Sequence, residues 1–150
     1  MTLPKMIEFA VWSHLDEIES FELILLKGHL LLECVVDNTL GTLIERGDIE
    51  SLNLGFYKKL ELLALLHRGR PEDFLRIRGH IVRLNKLRNQ LAHQLMFENG
   101  KEELGLWASQ VLTELPKAKF TKFTYRTKVV HAFASVASEL SALAGSPLTP

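Results

Sequence analysis

Arg88, Asn89 and His93 are the residues of this chain whose types and spacing could do chemistry. A neutral imidazole, with an ordinary pKa of about 6.5, can accept or return a proton near neutral pH. A guanidinium presents a fixed fork of donors that fits two oxygens of a phosphate and stabilises charge growing on it. A carboxamide one helical turn before an imidazole can orient that ring, or an anion, through hydrogen bonds. The surrounding run Leu84-Asn85-Lys86-Leu87-Arg88-Asn89-Gln90-Leu91-Ala92-His93 reads as helix. Take about 100° of turn per residue and set Arg88 at zero. Asn85 then lies at about 60°, Asn89 at about 100° and His93 at about 140°, while Leu84, Leu87 and Leu91 gather around roughly −60°. The three polar side chains form a ridge beside Arg88. Asparagine is a poor helix former, so two of them at i and i+4 inside a helix require another reason, and a polar site supplies one.

The segment Arg88-Asn89-Gln90-Leu91-Ala92-His93 resembles the mark of the HEPN superfamily, an Arg followed by a polar residue and then a His about four to six positions after the Arg. The resemblance extends to an early long helix holding Gly28-His29-Leu30-Leu31-Leu32-Glu33. It covers residues 15 to 97, and the C-terminal third carries none. It implies metal-independent RNA cleavage, without a cofactor, at a site formed where two protomers of a homodimer pair their motif helices. His93 would take the proton from a ribose 2′-hydroxyl or return one to the leaving oxygen, Arg88 would hold the scissile phosphate and Asn89 would orient either. The products would carry 2′,3′-cyclic phosphate and 5′-hydroxyl ends. Contacts to the RNA substrate are expected from Asn85, Lys86, Lys122 and Arg126. Such proteins act as toxins or defence components, with an antitoxin or another regulatory protein as partner. Some toxin-type relatives carry a Tyr two residues after the His, which a nucleotidyltransferase modifies; here that place is Leu95, which puts that form of regulation in doubt. A second reading is a non-catalytic regulator resembling the mannitol operon repressor branch of the same bundle family, a transcriptional regulator with a protein partner and no cleavage.

The charge distribution bears on both readings. Net charge is zero, which argues against a nucleic-acid binder held by whole-molecule electrostatics. Residues 1 to 50 hold three basic side chains against ten acidic ones, a balance of −7, and residues 51 to 97 hold nine against three, a balance of +6. The motif lies in the basic half. A second basic cluster, Lys117, Lys119, Lys122, Arg126 and Lys128, is interleaved with Phe120, Phe123 and Tyr125. That mixture can serve phosphates and stacked bases, or simply form a solvated helix face over core aromatics.

The elements that must position these residues are helices. With 150 residues and 47% hydrophobic composition the chain fits one domain, residues 1 to 150, able to close a core without staples. Apolar residues recur at three- and four-residue intervals and strand-type alternation is scarce. The expectation is all-α, an up-and-down bundle of four core helices with an additional C-terminal helix or helices. The pattern predicts helices over 4–19, 21–46, 56–67, from Pro71 or Phe74 to 97, 101–115 and 126–144. Ser20 should cap the second, Gly47 should stop it and Pro71 should open the fourth. A strand or irregular loop competes over Phe120 to Thr127, and the tail 145–150 should be frayed.

His29 and Glu33, at i and i+4, have the spacing of two metal ligands, but no second pair stands in register. A buried hydrogen-bonded pair, or a Glu33 anchoring Arg88, fits better, so no metal is expected. His14, His67, His80 and His131 are isolated, and Gly41, Gly47 and Gly55 lack the Lys-Ser/Thr of a phosphate-binding loop. Cys34, the single cysteine, reads as a packed thiol in a cytoplasmic protein. No apolar run is long enough for a membrane, because Lys27, Gly28, His29 and Glu33 interrupt the longest.

Overall fold

The computed structural model describes residues 2–94, 99–115 and 124–145. Among them the chain is all-helical and forms a bundle, with helices α1 (Leu3–Asp16), α2 (Phe21–Leu43), α3 (Phe56–Leu66), α4 (Pro71–His93), α5 (Gly100–Glu114) and α6 (Tyr125–Ala142), and one 3-10 turn, Ile49–Leu52, between α2 and α3. No helix of the described residues is long and apolar enough to cross a membrane.

The starts of these helices follow from local chemistry. Thr2, Ser20 and Thr124 each turn a side-chain oxygen to an early backbone N–H, to Lys5, Leu23 and Thr127 respectively. Pro71 sits in the first turn of α4, where its missing N–H is not needed, with Glu72 and Asp73 beside it at the positive end of the helix. The ends are less well marked by sequence. α2 stops at Leu43 rather than Arg46 because Ile44 is extended; Gly47, with φ of +88°, lies in the turn that follows. Of the segment in which a strand competed, Tyr125 to Thr127 are helical and residues 120–123 lie outside those described. Gly145, assigned to a frayed tail, has φ of +77° and packs against Arg68; residues 146–150 lie outside the described set.

α6 is at the centre. It packs against α1, α5 and α2 and touches α4, and from Val129 to Ser138 every one of its residues is buried. A helix enclosed on all sides must be apolar or small on all sides, and Ala132, Ala134, Ser135, Ala137 and Ser138 satisfy that between Val129, Phe133, Val136 and Leu140. Phe133 lies flat on the backbone of α2: a Cβ built on Gly28 would stand 2.5 Å from its ring. On its other side the ring meets Trp107 of α5 at 4.9 Å between centroids. The Trp107 indole N–H donates to the His80 carbonyl of α4 at 2.9 Å, so one aromatic pair joins α2, α4, α5 and α6. α4 turns Phe74, Ile77, Ile81, Leu84 and Leu87 inward, a stripe at helical spacing. Cys34, read from sequence as packed, is exposed on α2.

Two glycine substitutions test this packing in opposite directions. Gly28→Ala should lower stability by about 1–3 kcal/mol, because the added methyl meets the wall of an already filled core. Gly79→Ala, in the middle of α4 with nothing within 4 Å of the new Cβ, should raise stability by about 0.5–1 kcal/mol through helix propensity. Urea unfolding of both variants reads the two signs directly.

Candidate active site

Four side chains on three helices form a polar chain beside the motif, buried at Asn85 and His29 and reaching solvent at Tyr57 and Glu33. Asn85 of α4 is 7% exposed and His29 of α2 is 2% exposed. Asn85 Oδ1 lies 3.0 Å from His29 Nε2, and Asn85 Nδ2 lies 2.9 Å from the hydroxyl of Tyr57 on α3. On its far side His29 Nδ1 stands 3.3 Å from Glu33 Oε1, one turn along α2, although not aligned for a hydrogen bond. Phe56 covers the imidazole at 5.2 Å between centroids. Burial is the largest influence on His29 and pushes its pKa below the usual value; the Glu33 charge and the Asn85 hydrogen bond oppose that, and the Arg88 charge adds to it.

The proton order in this chain is constrained. With Nε2 against an amide oxygen and Nδ1 against a carboxylate, both nitrogens face acceptors, and only a doubly protonated imidazolium serves both. A neutral ring has one donor and one acceptor. It is satisfied when the Asn85 amide is turned by half a rotation, so that Nδ2 donates to Nε2 and Oδ1 accepts from the Tyr57 hydroxyl, leaving Nδ1–H for Glu33. The neutral state that burial favours therefore keeps the Tyr57–Asn85–His29 hydrogen bonds, with Nδ1 near Glu33 at 3.3 Å but not aligned to it. Of the two expectations for Glu33, a pair with His29 or an anchor for Arg88, the structure places it beside His29.

The motif residues themselves face outward. Arg88 is half-buried and its Nη1 reaches Asn89 Oδ1 at 3.5 Å, at the outer limit of a hydrogen bond. Asn89 and His93 are exposed, His93 in the last turn of α4, where a histidine also complements the helix dipole. Five residues of helix separate Arg88 from His93, a rotation of roughly 140° and a rise of about 7.5 Å. No contact joins them.

The expected substrate contacts divide. Lys86 is exposed on α4. Asn85, expected to face substrate, is turned inward with both ends of its amide engaged by His29 and Tyr57. Arg126, at the start of α6, is bound to the backbone carbonyl of Asp16 and, at 3.3 Å, to its carboxylate. Lys122, with Lys117, Lys119, Phe120 and Phe123, lies outside the described residues. Two more members of that cluster are committed inside the protein. Tyr125 donates to the Lys101 carbonyl and its burial pushes the phenol pKa up to about 12, and Lys128 Nζ donates to Ser109 Oγ at 2.9 Å. Tyr57 was not legible as part of the site, because nothing local marks a Tyr at the start of α3 as the partner of an Asn on α4. Among the described residues no three His, Cys, Asp or Glu side chains come together as a metal-holding group.

A second buried histidine, His80, sits 2.6 Å from Glu114 and ties α4 to α5, and a third, His131 on α6, stacks on Trp12 of α1. Burial also lowers both of their pKa values, against the raising influence of Glu114 on His80 and of Asp16 and Glu8 on His131. All three imidazoles bind protons less well folded than unfolded. The unfolded chain therefore takes up more protons as pH drops through the usual histidine value of about 6.5.

Stability to urea should accordingly hold above about pH 7 and fall as pH is lowered from about 6.5 toward 5. A flat profile there would contradict the burial of these rings. Asn85→Ala should cost about 1–3 kcal/mol because it strands the buried His29, whereas Asn89→Ala should stay within about 0.5 kcal/mol. Equal effects of the two would show that Asn85 holds nothing together.

Comparison of the chain with models of known families, with curated proteins and with solved structures finds no match in any of the three.

Proposed function

We propose that this chain is a HEPN-type metal-independent endoribonuclease, working as a dimer, with Arg88 as the phosphate-holding residue and His93 as the proton-transfer group. The observation that carries the reading is the division of labour on α4. Asn85 faces inward and is locked, while Arg88, Asn89 and His93, with Lys86 on the same stretch, reach solvent at the C-terminal end of the helix. Polar residues that the fold does not consume, gathered within two helical turns in the basic half of the sequence, suit an anionic substrate.

The chemistry follows from the residue types. His93 accepts the 2′-hydroxyl proton as the oxygen attacks the adjacent phosphorus, and a second imidazole protonates the departing 5′-oxygen, leaving a 2′,3′-cyclic phosphate. Arg88 neutralises charge on the non-bridging oxygens as the pentacoordinate arrangement forms. Because Arg88 and His93 diverge around α4, a twofold pairing of the α4 ends is what brings two histidines and two arginines to one phosphate. A toxin or defence role, with an antitoxin or other regulatory protein as partner, is consistent with a small nuclease of this kind.

The same divergence favours a second reading, a non-catalytic regulator resembling the mannitol operon repressor branch, in which the outward residues of α4 bind a protein and need not converge. The experiment that separates them is incubation of purified protein with total cellular RNA in EDTA. Cleavage giving cyclic phosphate ends, reduced about 100-fold or more in folded Arg88→Ala and His93→Ala variants, is the expected result. Intact RNA across varied substrates would overturn the nuclease and leave the regulator.

A further inference from the structure

At the other end of α4 from the motif, the bundle holds a cavity of about 610 Å³ among the N-terminus of α1, the last turn of α2, the α3–α4 connection and the C-terminus of α6. That volume is of the size that encloses a small-molecule ligand. From Pro71 to Arg88, α4 rises roughly 25 Å, so cavity and motif are separate places.

The cavity's composition is selective. Its wall is mostly apolar, with Leu3, Pro4, Ala142 and Ala144 contributing, and its charged groups are Lys5 and Arg68, with no carboxylate in the lining. Neither cation has an ion-pair partner among the described residues. Arg68 is fixed at the rim by backbone: its N–H donates to the Leu143 carbonyl at 2.8 Å and its Nη1 reaches the Ala144 carbonyl at 3.4 Å. Gly145 allows this, since a Cβ there would stand 3.2 Å from the Arg68 stem. Inside, Ser138 and Ser141 of α6 bring hydroxyl-bearing side chains to an otherwise largely apolar wall.

We infer that this cavity is a binding site for an amphipathic carboxylate, with the anionic head between Lys5 and Arg68, the chain against Leu3, Pro4, Ala142 and Ala144, and Ser138 offering a hydrogen bond. A largely apolar wall suits a hydrocarbon chain better than a polyanion such as RNA, and two cations without an ion-pair partner among the described residues suit an anionic head better than a neutral or cationic one. The site is independent of the nuclease reading.

Isothermal titration of the full chain with decanoate tests it, with decanol as the uncharged counterpart. Expected are saturable 1:1 binding of decanoate, at least tenfold weaker binding of decanol, and at least a tenfold loss in the Lys5→Ala/Arg68→Ala double variant. Ala142→Phe and Thr42→Phe, at exposed positions on two different walls, should each abolish binding while circular dichroism and urea unfolding stay unchanged. No binding of decanoate would overturn the proposal. So would undiminished binding in both Phe variants, because the ligand would then be lying elsewhere on the apolar surface.

Discussion

Burying one helix on every side is the constraint from which the rest of this structure follows. α6 has no solvent face along most of its length, so its neighbours must approach closely, and they do so where side chains are small. Gly28 is the clearest case: removing its side chain lets the Phe133 ring rest on α2, and Trp107 closes the same ring from α5. With α6 taking the centre, the other helices need only one inward stripe each. α4 meets its share with Phe74, Ile77, Ile81, Leu84 and Leu87, which leaves most of its circumference for polar residues.

The polar chain of Tyr57, Asn85, His29 and Glu33 then fixes what packing alone leaves loose. Aliphatic stripes tolerate small rotations of a helix about its axis, but a carboxamide held on two sides does not. Asn85 engages α2 and α3 at once, so the azimuth of α4 is set at that residue. The network sits three residues before Arg88 and within reach of its charge, which is why the guanidinium contributes to the lowered pKa of His29. Interior lock and exposed motif are consecutive turns of one helix.

The helical class and the helix starts at Ser20 and Pro71 were legible in the sequence because each depends on local rules: caps, ring geometry and propensity. The direction in which each polar residue points was not. Asn85 and Asn89 are the same residue type one turn apart, and periodicity places them on one ridge, yet one is sealed by His29 and Tyr57 and the other is open. The deciding partners come from helices distant in sequence, and no local pattern reports them. The central position of α6 was hidden for a similar reason. Read alone it is a late helix of alanine, serine and valine, and only the five helices before it show why so many small residues are needed. Cys34 illustrates the reverse error, since apolar sequence neighbours do not fix which way a helical residue faces.

The lock at Asn85 has a consequence for any chemistry at the motif. Arg88 and His93 stand on one helix, so the roughly 140° between them is set by helical geometry, and the lock three residues before Arg88 fixes which way each of them faces relative to the rest of the bundle. A long, half-buried Arg88 side chain can sweep part of that angle, but His93 is short and stands at the last turn of the helix. Convergence on one phosphate therefore requires a second copy of α4, approaching so that the outward face of one helix meets that of the other. A monomer with this lock would bind an anion through Arg88 and offer an imidazole elsewhere, without the paired acid and base that transesterification needs. In the nuclease reading the geometry of α4 itself makes a single protomer insufficient, and the network at Asn85 decides which face of the helix a second copy would have to meet.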